Sequence, residues 1–148
     1  MNISEAQYAA LLRAQGRPAR QRTTLPAPSE YEEQCAVIEW AHAMVGRWPE
    51  LAFLFHVPNG EARPTGVGAR LQRLGVQRGV PDLLLLEPRG AYHGLALELK
   101  RADHSNAPTP EQWCWLEHLR AVGYLAVVCY GAQAAIDALT HYLEEAPA

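Results

Sequence analysis

The sequence predicts an α/β domain in which helices flank a mixed sheet. Three observations predict it. Helical periodicity over 30–46 gives way to short apolar runs at 51–57, 80–86 and 95–100, each of strand length. A well-capped helix over about 110–122 separates the third run from a fourth at 124–130. Strand, helix, strand is a crossover, which makes its two strands parallel, whereas the short link EPRGAYHG reads as a hairpin between antiparallel strands. The element order is α–β–β–β–α–β–α, and the sheet is mixed.

Residues 1–28 carry a short helical patch near Glu5–Gln15 and then GRPARQRTTLPAP, which reads as an Arg-rich arm or linker. The folded domain is expected over 29–148. Ser29 with Glu32 three residues on makes a capping box, followed by Tyr31, Gln34, Val37, Ile38, Ala41, Met44 and Val45 at helical spacing. LAFLFHV at 51–57 reads as a buried strand, and Pro58-Asn59-Gly60 as a turn. Residues 61–79 form a Gly- and Arg-rich connection with a short helix near 66–74. Thr109, Pro110 and Gln112 take the N-cap, N1 and N3 places of the next helix, which stops at Gly123. The last helix is expected over 132–144.

The chain of 148 residues suits one domain, with 49% hydrophobic residues to build its core. No run of 18 apolar residues predicts a membrane span, and the start lacks a signal-peptide layout, so a cytoplasmic protein is expected. Cys35, Cys114 and Cys129 are expected to be reduced core thiols without metal spacing. The net charge of −3 argues against a nonspecific DNA coat. Its distribution is uneven: Arg13, Arg17, Arg20 and Arg22 crowd the arm, while Arg63, Arg70, Arg73 and Arg78 form a second basic stretch. The chain has twelve arginines and one lysine, Lys100. An ammonium is a compact, tunable charge that a guanidinium cannot imitate.

That lysine belongs to the segment GVPDLLLLEPRGAYHGLALELKRA, 79–102. In an antiparallel hairpin the start of one strand lies opposite the end of the next, so Asp82 and Glu98 fall at the same end. Alternation puts Glu98 and Lys100 on one face. Two close carboxylates repel unless one gains a proton or a cation binds. Oxygen ligands without His or Cys suit Mg²⁺ or Mn²⁺. A metal that activates water and polarises a phosphoryl oxygen, beside a lysine that orients water or stabilises charge, can cleave a phosphodiester. The plainer alternative is that Asp82 caps a turn and Glu98–Lys100 is a surface ion pair. Pro81-Asp82 opening a buried strand, the hairpin symmetry and the sole lysine together favour a site.

With Pro81-Asp82 and Glu98-Leu99-Lys100, the sequence resembles the PD-(D/E)xK nuclease superfamily. Its spelling is similar to the VRR-NUC branch: Glu30 early in a helix, Pro58-Asn59-Gly60, Gly79–Leu83, Glu98–Lys100 and Gln112 opening a helix. The resemblance covers about 29–131. It implies a restriction-endonuclease-like αβββαβ core, Asp82, Glu98 and the Leu99 carbonyl as metal ligands, and Lys100 as the catalytic lysine. Glu30 fits the remaining acid's register best, with Glu33 one turn on as second choice. Gln112 lies beside the site by resemblance, or serves as a cap alone. His56 and Asn59 contact water or phosphate, or shape the turn. Arg63, Arg70, Arg73 and Arg78 are candidate phosphate contacts. Trp40 and Trp113 are expected to pack, and Trp115, on another face, to serve a dimer interface. The resemblance implies a homodimeric endonuclease acting on branched DNA such as four-way junctions. Rival readings are a restriction-type or nicking nuclease, a catalytically silent nucleic-acid-binding module, and a partner inactive alone.

Overall fold

The computed structural model describes residues 26–59 and 66–147. Most of the expected arm and Arg63 lie outside these residues. Helix α1 (Glu30–Met44) begins at the Ser29 capping box, in which Glu32 N–H and Ser29 N–H each meet the other residue's side chain. A 3-10 turn, η1 (Pro49–Phe53), leads to the two-residue strand β1 (Phe55–His56), and helix α2 (Val67–Arg73) follows. Strands β2 (Leu83–Leu85) and β3 (Leu95–Lys100) form the hairpin. Helix α3 (Pro110–Ala121) crosses to β4 (Leu125–Tyr130), and α4 (Ala132–Glu144) closes the fold.

The sheet order is β1-β2-β3-β4. β1 and β2 pair antiparallel, as do β2 and β3, whereas β3 and β4 run parallel along their full lengths. This mixed sheet flanked by helices is the architecture expected. The β2–β3 register pairs Leu83 with Leu97 and Leu84 with Ala96. One further step sets Asp82 opposite Glu98, as the hairpin symmetry requires.

The expected buried strand at 51–57 is corrected. Pro49, with its φ already fixed, opens a 3-10 turn that buries Leu51, and only Phe55 and His56 reach the sheet, both exposed on its edge. β2 is also shorter than its apolar run, because Pro81 has no N–H to donate to a ladder.

Alternation along β3 divides the interior. Leu95, Leu97 and Leu99 join Leu83, Leu85, Val127 and Cys129 against α1 and α4, in the larger core. Ala96 faces the other way, with Ala126 and Leu116 of α3, in a thin second cluster. Continuing that face, Glu98 and Lys100 emerge on the α3 side, 0% and 4% exposed. All three cysteines are free thiols, but only Cys129 is a core residue; Cys35 is half-buried and Cys114 exposed. Trp40 packs against Trp48 with ring centroids 6.2 Å apart. Trp113 does not pack as expected and is 41% exposed.

Candidate active site

The ends of β2 and β3, the N-terminus of α3 and the N-terminus of α1 meet at one place. Asp82 stands just before β2. Its Oδ2 accepts the Leu99 N–H at 2.8 Å, extending the ladder ahead of the first residue of β2. In an extended strand the N–H and C=O of one residue point to the same side, so the Leu99 carbonyl faces the Asp82 side.

Glu98 is the centre of the site. Its Oε1 accepts from Lys100 Nζ at 2.8 Å and from Gln112 Nε2. Its Oε2 is buried and has no hydrogen-bond partner. Burial, and then the charge of Asp82, push the Glu98 carboxyl up from 4.5 to about 8. Burial also raises Asp82, against the pull of its bond to Leu99 N–H and the charge of Lys100. For Lys100, burial pulls the pKa down, but its hydrogen bond to Glu98 and the charges of Glu98, Glu30 and Asp82 outweigh it, and the net shift is upward. The ammonium therefore persists at neutral pH and acts as a positive charge and hydrogen-bond donor.

Gln112 serves both roles weighed for it. Its Oε1 accepts the Thr109 N–H at 2.8 Å in a capping box, and its Nε2 reaches Glu98. The two glutamates of α1 also separate. Glu30 Oε1 lies 3.7 Å from Lys100 Nζ. Glu33 turns away, and its Oε2 accepts the Ala132 N–H at 2.7 Å, capping α4. Of the two, the structure brings Glu30 to the lysine.

His56 Nδ1 donates to the Asp82 carbonyl at 2.8 Å, and Asn59 Nδ2 donates to the Val80 carbonyl at 2.8 Å. Both side chains therefore clip the segment that presents Asp82. Trp115 is engaged within the chain, its indole N–H donating to the Arg78 carbonyl at 3.0 Å. Beside it, Gly79 has φ +84°, and a Cβ there would lie 2.6 Å from the Glu111 carbonyl carbon. This close approach seats the Asp82 segment on the start of α3. Sequence reasoning did not assign Gly79 or Trp115 a positioning role; the glycine's signal was present in GVPD, the tryptophan's was not.

A cleft of about 540 Å³ opens here, and Glu30, Asp82, Gln112, Leu71, Gln72 and Arg78 are among the residues that line it. Arg70 and Arg73 lie exposed on α2. Among the described residues, no group of three or more His, Cys, Asp or Glu side chains forms a metal cluster by itself. The donors nonetheless fit one hard divalent cation. Two opposed carboxyls are held toward protonation by burial, one carboxylate oxygen has no donor, and a backbone carbonyl faces the same side.

The αβββαβ core with this charged cluster at one end of its hairpin defines an α/β protein of the restriction-endonuclease-like class. A solved structure described as a VRR_NUC domain protein is 32% identical to the chain, with a TM-score of 0.68, and the match covers 83% of this chain and 94% of that one. This chain belongs to the VRR-NUC domain family. No family model matches it, and no curated protein matches it.

Proposed function

We propose that this protein is a Mg²⁺- or Mn²⁺-dependent deoxyribonuclease that hydrolyses phosphodiester bonds, a structure-selective endonuclease acting as a homodimer on branched DNA such as four-way junctions. Membership of the VRR-NUC family supports a nuclease-type function. The observation that carries the chemistry is Glu98, buried opposite Asp82, with one oxygen held by Lys100 and Gln112 and the other without a donor. The branched substrate and the homodimer follow from the resemblance.

Asp82, Glu98 and the Leu99 carbonyl would hold the cation, with Glu30 at the margin. When bound, Mg²⁺ or Mn²⁺ supplies Lewis acidity, activating the attacking water and offsetting charge on the phosphoryl oxygens. Lys100, a persistent cation in a water-poor setting, stabilises charge that builds on the phosphate in the transition state. Gln112 and Lys100 hold Glu98 Oε1, so Oε2, which has no donor, would be the oxygen offered to the cation. The N-terminal amides of α3 favour a phosphate at the mouth of the cleft. Arg70, Arg73 and Arg78, all exposed, would contact flanking phosphates.

The test is a panel of labelled four-way junction, flap, nicked and linear duplex DNA, each with Mg²⁺, Mn²⁺ or chelator. Cation-dependent cleavage with junctions preferred is expected, and Asp82→Asn and Lys100→Ala should abolish it while retaining DNA binding. Equal cleavage by wild type and both variants removes the mechanism. A preference for linear or nicked duplex reassigns the substrate, and binding without cleavage points to a silent module. Sedimentation tests the homodimer.

A further inference from the structure

The loop from the end of β3 to the cap of α3 reads RADHSNAP, with Arg101, Asp103, His104, Ser105 and Asn106 as its polar residues. It is closed by its own bonds. Asp103 Oδ1 accepts the Ser105 N–H at 2.9 Å, and Asp103 Oδ2 accepts from Arg101 Nη2 at 3.0 Å. His104 sits at φ +56°, and its N–H donates to the Arg101 carbonyl at 3.0 Å. These bonds turn the chain back, so that Asn106 returns to the end of β3.

Both ends of the Asn106 amide are then used. Its Oδ1 accepts the Arg101 N–H at 3.3 Å, which fixes the amide's orientation, because a flip would set donor against donor. Its Nδ2 therefore faces α1 and donates to Glu30 Oε2 at 2.6 Å. The other Glu30 oxygen faces Lys100 Nζ at 3.7 Å. Glu30 lies in the first turn of a helix with its side chain 40% exposed, and such a long side chain loses its aim unless something holds it.

We infer that Asn106 is a positioning residue, whose amide holds the Glu30 carboxylate toward Lys100 and the cation site. The inference rests on the nuclease reading of that site. It assigns work to a loop that carries no recognised motif. A competing account is that Asn106 only staples the loop, through the Arg101 N–H.

The experiment combines cleavage kinetics with Mn²⁺, calorimetric Mn²⁺ binding without DNA, and thermal melting. Asn106→Ala is expected to weaken Mn²⁺ binding and lower kcat, each about 10- to 100-fold, with KM for DNA unchanged. Asn106→Asp keeps the shape and the acceptor for the Arg101 N–H, but sets a second carboxylate against Glu30. It should melt near wild type yet lose kcat as the alanine variant does. In a Glu30→Ala background, Asn106→Ala should add no further loss, because the residue acts through Glu30. Full kcat in Asn106→Asp, or equal losses in both backgrounds, overturns the inference and leaves the nuclease reading standing. A wild type that neither binds Mn²⁺ nor cleaves any DNA overturns both.

Discussion

The two ends of the β2–β3 hairpin both bury charge, and they do so differently. At the loop end, Arg89 is buried and paired with Glu50, and it also donates to the Glu145 carbonyl at 3.5 Å. Nearby, the Tyr142 hydroxyl donates to the Glu87 carbonyl at 2.6 Å. At the open end, Asp82, Glu98 and Glu30 surround one lysine. Each end leaves buried polar atoms unpartnered: Glu98 Oε2 at one, Glu50 Oε2 and Arg89 Nε at the other. An orphaned atom is therefore not what separates them. Charge balance is. One cation meets one anion at the loop end, whereas three carboxyls meet one ammonium at the open end, and that excess is what a divalent cation would neutralise.

If the two ends differ in this way, substitutions at them separate activity from stability. The largest effect is expected from Lys100→Ala and Asp82→Asn, which should lower kcat by about 10²–10³-fold or more, measured by cleavage kinetics. Melting near neutral pH should change less, because Glu98, raised to about 8, meets the loss of its partner as a neutral acid. Arg89→Met should do the reverse. Leaving Glu50 without its partner in a partly buried place costs up to about 3–5 kcal/mol, yet the folded fraction should cleave at the wild-type rate. Adding Glu50→Leu should restore much of that stability, read by denaturant titration. Should Arg89→Met reduce kcat as severely as Lys100→Ala, the division between the ends fails.

The next effect is pH dependence of the metal-free protein. Glu98 is raised from 4.5 to about 8, so the folded chain keeps a proton that the unfolded chain has released. Its stabilising contribution is complete below about pH 4.5 and is lost as pH rises through 8. Glu98→Gln should flatten that part of the stability curve, seen by urea unfolding at several pH values in chelator. Gly79→Ala, at φ +84° and with no room beside Glu111, should cost about 1–2 kcal/mol from backbone strain alone and reduce kcat by displacing Asp82 from α3. The smallest effect is electrostatic. Removing Arg70, Arg73 or Arg78 singly should weaken DNA binding alike across sequences. The salt slope should fall by about 0.9 for each phosphate no longer neutralised.

Much of this architecture was legible along the chain. β3 and α4 fall where their patterns end, and α1 and α3 begin at their capping boxes, because local bonds and alternation fix those boundaries. The meeting of Asp82 with Glu98 was legible too, since a hairpin's register follows from its loop. The strand at 51–57 was misread because an apolar run does not reveal that a proline-led turn will bury Leu51 and leave only Phe55 and His56 at a sheet edge. Trp113 was misread because the α3 face of the sheet is thin, and helical spacing cannot report how much sheet lies beneath.

By itself the sequence determined the strand alternation, the caps and the hairpin symmetry, all of which depend on neighbours within a few residues or on one short loop. Only the tertiary structure separates the surroundings of Glu30 and Glu33, one turn apart on the same helix. Glu33 is taken by the amide end of α4, 99 positions along the chain, and Glu30 by Asn106, 76 positions along. It also decided that Glu98 and Lys100 are buried rather than solvated. The physical reason is that a carboxylate's role depends on which donors and charges surround it, and here those come from segments that only folding brings together.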